Sequence, residues 1–164
     1  ALHSGGGQDW DKVGDAVHAY LGVDLAHLQP LQRSELAEGI IERWGIGRYI
    51  DTADLEAMGT NWQAWVNKHF GDSARIETEV PFDYCAQDGS RAQGWMDTLI
   101  VGEDGVRYLV DHKTYPGKDP EAHIRANYLG QMATYSRVLE SAGIKVGGIF
   151  MHLPLLGQVW EVRF

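Results

Sequence analysis

Cysteine is almost missing from these 164 residues; Cys85 is the single one. One thiol excludes an intrachain disulfide framework and any four-cysteine zinc or iron–sulfur centre within the chain. It fits a reducing, cytoplasmic setting better than an oxidising one. Long apolar runs are missing too. None approaches the roughly 20 residues that a membrane helix needs, so no membrane partner is expected. The opening Ala1-Leu2-His3-Ser4-Gly5-Gly6-Gly7 lacks the basic and apolar regions of a signal peptide. Residues 1–10 read as a linker, and the chain as a domain cut from something larger. Cations are scarce, with 14 Lys and Arg against 23 Asp and Glu and a formal charge of −9. That balance argues against gripping nucleic acid through a broad basic surface. It leaves room for an enzyme that meets phosphates through bound cations and a few local bases. A Gly-x4-Gly-Lys-Ser/Thr phosphate loop is also absent, so this chain alone is not expected to hydrolyse ATP.

What is present is enough for one core. Hydrophobic residues make up 44% and charged residues 23%, with six Trp and seven Tyr as large anchors. The length fits one domain, taken as residues 11–164. Apolar residues recur at helical spacing from about Asp11 to Leu21, from Leu31 to about Trp44, and from Asp51 to Phe70. Gly45 reads as a stop, and Asp51-Thr52-Ala53-Asp54 as a good N-terminal signature. The period then changes. Ala74 to Cys85, Ala92 to Val101 and Val106 to Lys113 read as strands, the last two joined by a hairpin through Gly102-Glu103-Asp104-Gly105. Pro120 to about Ala142 reads as one long helix closed by Gly143. Lys145 to Leu153 and Gln158 to Phe164 read as two further strands. The order ααα-βββ-α-ββ predicts an α/β sandwich on a mixed sheet.

The chemistry-bearing stretch runs from Gly94-Trp95-Met96-Asp97 through Val110-Asp111-His112-Lys113. If the hairpin loop is the three residues Glu103 to Gly105, Asp97 falls opposite Asp111; a two-residue Asp104-Gly105 turn shifts the pairing by one. Asp111 and Lys113 share one strand face, and His112 points to the other. Asp-x-Lys tripeptides are common, and such pairs usually mark a solvated strand face. Here, however, both aspartates end apolar runs, Trp95-Met96 and Tyr108-Leu109-Val110. Like charges opposite each other on a sheet are destabilising, and burial adds to the cost. A divalent cation between them resolves both problems, and an oxygen-rich site suits Mg2+ or Mn2+. Such an ion activates water and stabilises charge on a phosphodiester, with Lys113 placed to assist.

Taken in order, Gly14-Asp15-Ala16-Val17-His18, Gly94-Trp95-Met96-Asp97, Leu109-Val110-Asp111-His112-Lys113-Thr114 and Gln131-x3-Tyr135 resemble the motif series of the RecB-like nucleases of the PD-(D/E)xK superfamily. The resemblance implies a restriction-endonuclease-like αβββαβ core, with a mixed central sheet flanked by helices and extra N-terminal helices. It implies His18, Asp97, Asp111 and the backbone carbonyl of His112 as metal ligands. Asp97, Asp111 and Lys113 would be the catalytic group. The His112 side chain departs from the apolar or Tyr residue more usual there. Gln131 and Tyr135, four apart on one helix face, would flank the site and contact DNA. Glu79, in Glu79-Val80-Pro81-Phe82, resembles a recurrent Glu-x-Pro-Phe, with a supporting role at best.

The activity implied is metal-dependent hydrolysis of DNA, with end processing by an exonuclease domain in repair or recombination as the expected role. Some relatives carry four cysteines around an iron–sulfur cluster; this chain lacks them. The stretch Met151 to Val159 resembles the closing strands of nuclease domains attached to UvrD/Rep-type helicases. DNA and such a helicase motor, in the same or a partner chain, are therefore the expected partners. Lys118, Arg125 and Arg137 are candidate phosphate contacts. The rival readings are a catalytically silent DNA-binding or scaffolding module, a hydrolase of small phosphate esters, and a junction-resolving endonuclease.

Overall fold

A computed structural model of the chain describes residues 7–114 and 117–163. Helix α1 covers Gly7–Leu21, α2 Pro30–Trp44 and α3 Thr52–Phe70. Three strands follow, β1 Arg75–Cys85, β2 Arg91–Val101 and β3 Arg107–His112. Helices α4 (Pro120–Asn127) and α5 (Leu129–Ser141) lead to β4 (Val146–Leu153) and β5 (Gln158–Glu161). The strands form one sheet in the order β1-β2-β3-β4-β5. β3 and β4 run parallel, and every other neighbouring pair is antiparallel. This is a mixed α/β fold with a five-stranded mixed sheet between helices, compatible with a restriction-endonuclease-like core.

The local signals act as their chemistry predicts. Asp51 caps α3 by accepting from the Asp54 amide, while the Asp54 side chain accepts from the Asp51 amide, a reciprocal capping box. Gly45 ends α2 in the left-handed conformation, with φ 65°. The hairpin between β2 and β3 uses the three-residue loop. Gly102 N donates to Val106 O at 3.0 Å, and Gly105 takes φ 77°, which a side chain would resist.

Three expectations need correction. Residues 7–10 of the expected linker are helical, while 1–6 lie outside the described residues. Trp10 packs on Tyr49 with ring centroids 5.5 Å apart, and Tyr49 Oη donates to Asp9 at 2.7 Å, so tertiary contact extends α1 backwards. The expected long helix breaks at Tyr128, whose φ −127° and ψ −15° lie outside the helical range, giving α4 and α5. The last strand ends at Glu161; Phe164 lies outside the described residues.

Two cores sandwich the sheet. On one face Ile100 and Val110 join Val13, Val17, Tyr20, Leu55 and Trp62 from α1 and α3. On the other, Leu99 and Leu109 join Met132, Tyr135 and Leu139 from α5. Alternation along β3 therefore directs Asp111, two on from Leu109, to the α5 side, and His112 to the α1/α3 side. In β1, Ile76 packs on the first core, while Val80 and Phe82 pack on the second. The change of face occurs at Glu79, whose φ is 51°. A non-glycine residue held there costs on the order of 1–3 kcal/mol. Its paired neighbours, Thr78 with Thr98 and Val80 with Met96, set exposed Glu79 opposite Asp97.

Helix α3 approaches α1 closely at Gly59. A Cβ built there would lie 2.6 Å from Tyr20 Cε1 and 2.8 Å from Leu25 Cδ1. Gly59→Val is expected to lower stability by about 2 kcal/mol through overpacking. Urea unfolding checks this, and an unchanged midpoint would contradict the packing described.

Candidate metal centre

The carboxyl end of β3 gathers most of the residues singled out in the sequence. The β2–β3 register, with Thr98 opposite Val110 and Leu99 opposite Leu109, continues to set Asp97 against Asp111. Asp97 Oδ2 accepts a hydrogen bond from the His112 amide at 3.1 Å. From α1, His18 Nε2 donates to the His112 carbonyl at 2.7 Å and lies 3.7 Å from Asp97 Oδ2. The His112 peptide is thus engaged through both its N–H and its C=O. Lys113 Nζ lies 3.1 Å from Asp111 Oδ2, and 4.7 Å from the centre of the Tyr128 ring. The break between α4 and α5 is what presents that ring.

Asp111 carries the electrostatic tension. It is 2% exposed. Its Oδ2 has the Lys113 ammonium as an ion-pair neighbour but receives no well-aligned hydrogen bond. Among the described residues it is the buried side-chain polar atom left in that condition. Burial first, then the Asp97 carboxylate, push its pKa up to about 7 against the pull of Lys113. Burial works to lower the pKa of Lys113, but the Asp111 carboxylate outweighs it and the net shift is upward. Lys113 is therefore an ammonium at neutral pH.

Gln131 Nε2 donates to Tyr135 Oη at 2.7 Å, and the buried Tyr135 ring stands edge-on to Phe82 at 5.3 Å. Burial, then Asp111 and Asp97, raise the Tyr135 pKa, so its hydroxyl lies in the field of the acid pair. Of the candidate phosphate contacts, Arg125 is paired with Glu121 at 2.9 Å. Lys118 and Arg137 are exposed. A cavity of about 430 Å³ between the end of α1, α3 and β1 contains none of the acid cluster.

Among the described residues, no three His, Cys, Asp or Glu side chains stand at metal-cage spacing. The ligand set read from the sequence needs a backbone carbonyl as its fourth member, and His18 Nε2 is hydrogen-bonded to that carbonyl. The donor chemistry nevertheless suits a hard divalent cation: two carboxylates, one carbonyl and one imidazole, with one buried carboxylate oxygen lacking a hydrogen bond.

Sequence reasoning passed over Thr98, His152 and Trp62. Thr98 Oγ1 lies 3.1 Å from His112 Nε2, and His152 Nδ1 lies 2.8 Å from His112 Nδ1. Trp62 packs on both histidine rings. The available signal was a histidine inside the apolar run Ile149 to Leu153, since a buried polar group requires a partner.

No family model matches the chain. An ATP-dependent helicase/nuclease subunit from Anoxybacillus flavithermus is 27% identical over 116 residues, covering 66% of this chain. The match spans only 9% of that protein's length. At that identity and coverage the likeness is weak. Among solved structures, the crystal structure of SSO0001 aligns over 92% of this chain and 75% of its own, with 13% identity and a TM-score of 0.35. Nothing about function follows at that similarity. Among the described residues, no helix is long and apolar enough to cross a membrane.

The raised pKa of Asp111 has a stability consequence. Between the unfolded value of 3.8 and the folded value of about 7, the folded state binds more protons. Stability therefore falls as pH climbs through that window, and the penalty is complete above it. Asp111→Asn has no such penalty. Without divalent metal, this variant is expected to melt roughly 5 °C above wild type at pH 8. The gap should shrink towards pH 4. A lower Tm at pH 8 would contradict the account.

Proposed function

We propose that this domain is a divalent-metal-dependent deoxyribonuclease of the RecB-like PD-(D/E)xK type. The observation that carries the reading is the buried, under-bonded Asp111 carboxylate, set between Asp97, Lys113 and the His18–His112 contact. The ordered motif series and the weak likeness to a helicase/nuclease protein point the same way. Residues 11–164 would be one nuclease domain, with α1 beginning earlier.

Asp97, Asp111, His18 Nε2 and the His112 carbonyl would hold Mg2+ or Mn2+. The cation, when bound, would supply Lewis-acid stabilisation of a phosphodiester and a lowered pKa for water. The remaining chemistry belongs to the chain. Asp111 must be ionised to ligate, so a bound cation draws its pKa down from about 7. Lys113, held as an ammonium, is suited to donate to a phosphate oxygen or to orient the attacking water, rather than to remove its proton. Tyr128 beneath it limits where that ammonium can swing. The Gln131–Tyr135 pair offers polar groups beside the site for the DNA strand. With a charge of −9 the domain has little general hold on DNA. A helicase motor that feeds the strand, as in the UvrD/Rep-type helicase–nucleases, would supply that hold, in DNA-end processing during repair or recombination.

The test is cleavage of end-labelled single-stranded and duplex DNA with Mg2+, Mn2+ or chelator. Cleavage should require the metal and fall about a hundredfold or more in Lys113→Ala. Cleavage that survives chelation, or is unchanged in Lys113→Ala, would contradict the assignment. A second expectation concerns binding. Mn2+ should raise the Tm of wild type at pH 8 and leave that of Asp111→Ala unmoved. Equal shifts in both proteins would place the metal elsewhere.

A further inference from the structure

His112 has unusual demands placed on it. Its amide donates to Asp97, and its carbonyl accepts from His18. A residue whose two peptide groups both serve a site must hold its peptide plane in one orientation. Strand pairing supplies part of that, since His112 lies beside His152 in the parallel β3–β4 ladder. The rest comes from the opposite face of β3, where the side chain is buried at 3% exposure.

There each ring nitrogen of His112 has a partner. Nε2 lies 3.1 Å from Thr98 Oγ1, and Nδ1 lies 2.8 Å from His152 Nδ1. A hydrogen bond between two Nδ1 atoms requires one of them protonated and the other bare. A neutral imidazole offers one donor and one acceptor. Whichever nitrogen of His112 carries its proton, the Thr98–His112–His152 chain uses both. His152 also accepts the Lys113 amide through its carbonyl, at 2.9 Å. It therefore grips β3 twice, at the ring of His112 and at the backbone of Lys113. Trp62 closes the arrangement, stacked on His152 at 5.0 Å and edge-on to His112 at 4.8 Å. An apolar residue at position 112 would pack in this space without fixing its own rotation.

We infer that His152 and Thr98 are positioning residues, which fix the His112 peptide, and through it the carbonyl and Asp97 carboxylate offered to a cation, from the far side of the sheet. The inference rests on the metal-site reading above. It adds that the site's geometry is set by two buried polar side chains, Thr98 and His152, that are not themselves ligands. Partners of this kind typically change metal affinity by ten- to a hundredfold.

The experiment is calorimetric titration of Mn2+ into wild type, Asp111→Ala, His152→Leu, His152→Asn and Thr98→Val. The His112 amide resonance is followed by NMR in the metal-free proteins. Leu keeps bulk but loses the ring hydrogen bond; Asn offers an amide close to where Nδ1 stood. Folding is checked by near-UV circular dichroism. His152→Leu should bind Mn2+ about tenfold or more weakly and move the His112 amide resonance. His152→Asn should restore most of the affinity. Thr98→Val, which removes one hydrogen bond with little change of shape, should cost roughly threefold to tenfold. It carries the test alone if His152→Leu fails to fold.

If wild type binds no Mn2+, or binds as Asp111→Ala does, the metal-site reading fails and this inference falls with it. If wild type binds, Asp111→Ala does not, and a folded His152→Leu or Thr98→Val matches wild type in affinity and amide shift, the reading stands and the positioning role is overturned.

Discussion

A carboxylate buried beside a second carboxylate is the constraint around which this molecule is arranged. Asp111 sits at the end of β3 with almost no solvent, Asp97 across the hairpin and one ammonium alongside. Folding alone gives no reason to keep such a group; an asparagine would be easier to bury. The cost, of order 1–3 kcal/mol for a buried polar atom left without a hydrogen bond, is borne by the hydrophobic packing on both faces of the sheet. The helices supply that packing, and α1 and the α4–α5 junction also bring His18 and Tyr128 to the same strand end. A structure that keeps this tension and surrounds it with oxygen donors is suited to a cation.

The two faces of β3 divide the work. Asp111 faces the α5 side, while His112 faces α1 and α3 and anchors the strand in a polar chain within the apolar core. The peptide of His112 joins the two halves, since its amide and carbonyl point into the site while its ring points away. The change of face at Glu79 lies opposite Asp97 on the neighbouring strands. Backbone irregularity and acid cluster thus occur at the same level of the sheet.

Much of this was legible in the sequence, for physical reasons that differ by element. The first three helices announced themselves by periodicity and caps, and Asp51 and Gly45 act as such residues must. The hairpin register turned on loop length, and the left-handed Gly105 settles it as three residues, bringing Asp97 opposite Asp111. The break at Tyr128 was not legible, because no proline or glycine sits at that position. The start of α1 was hidden for a similar reason: Asp9 and Trp10 are ordered by Tyr49, forty and thirty-nine residues away. The Thr98–His112–His152 chain was signalled only by a histidine inside an apolar run; its partners depend on the parallel register of β3 and β4, which no local pattern encodes.

The proposed function requires Asp97, Asp111, His18 and the His112 carbonyl to hold one divalent cation. Anomalous diffraction from crystals grown with Mn2+ tests it most directly. The account predicts one strong peak within about 2.0–2.4 Å of both aspartates, His18 Nε2 and the His112 carbonyl oxygen, with the His18–His112 hydrogen bond opened to admit it. A well-ordered structure with Mn2+ absent from this strand end, or bound only elsewhere on the acidic surface, would contradict it.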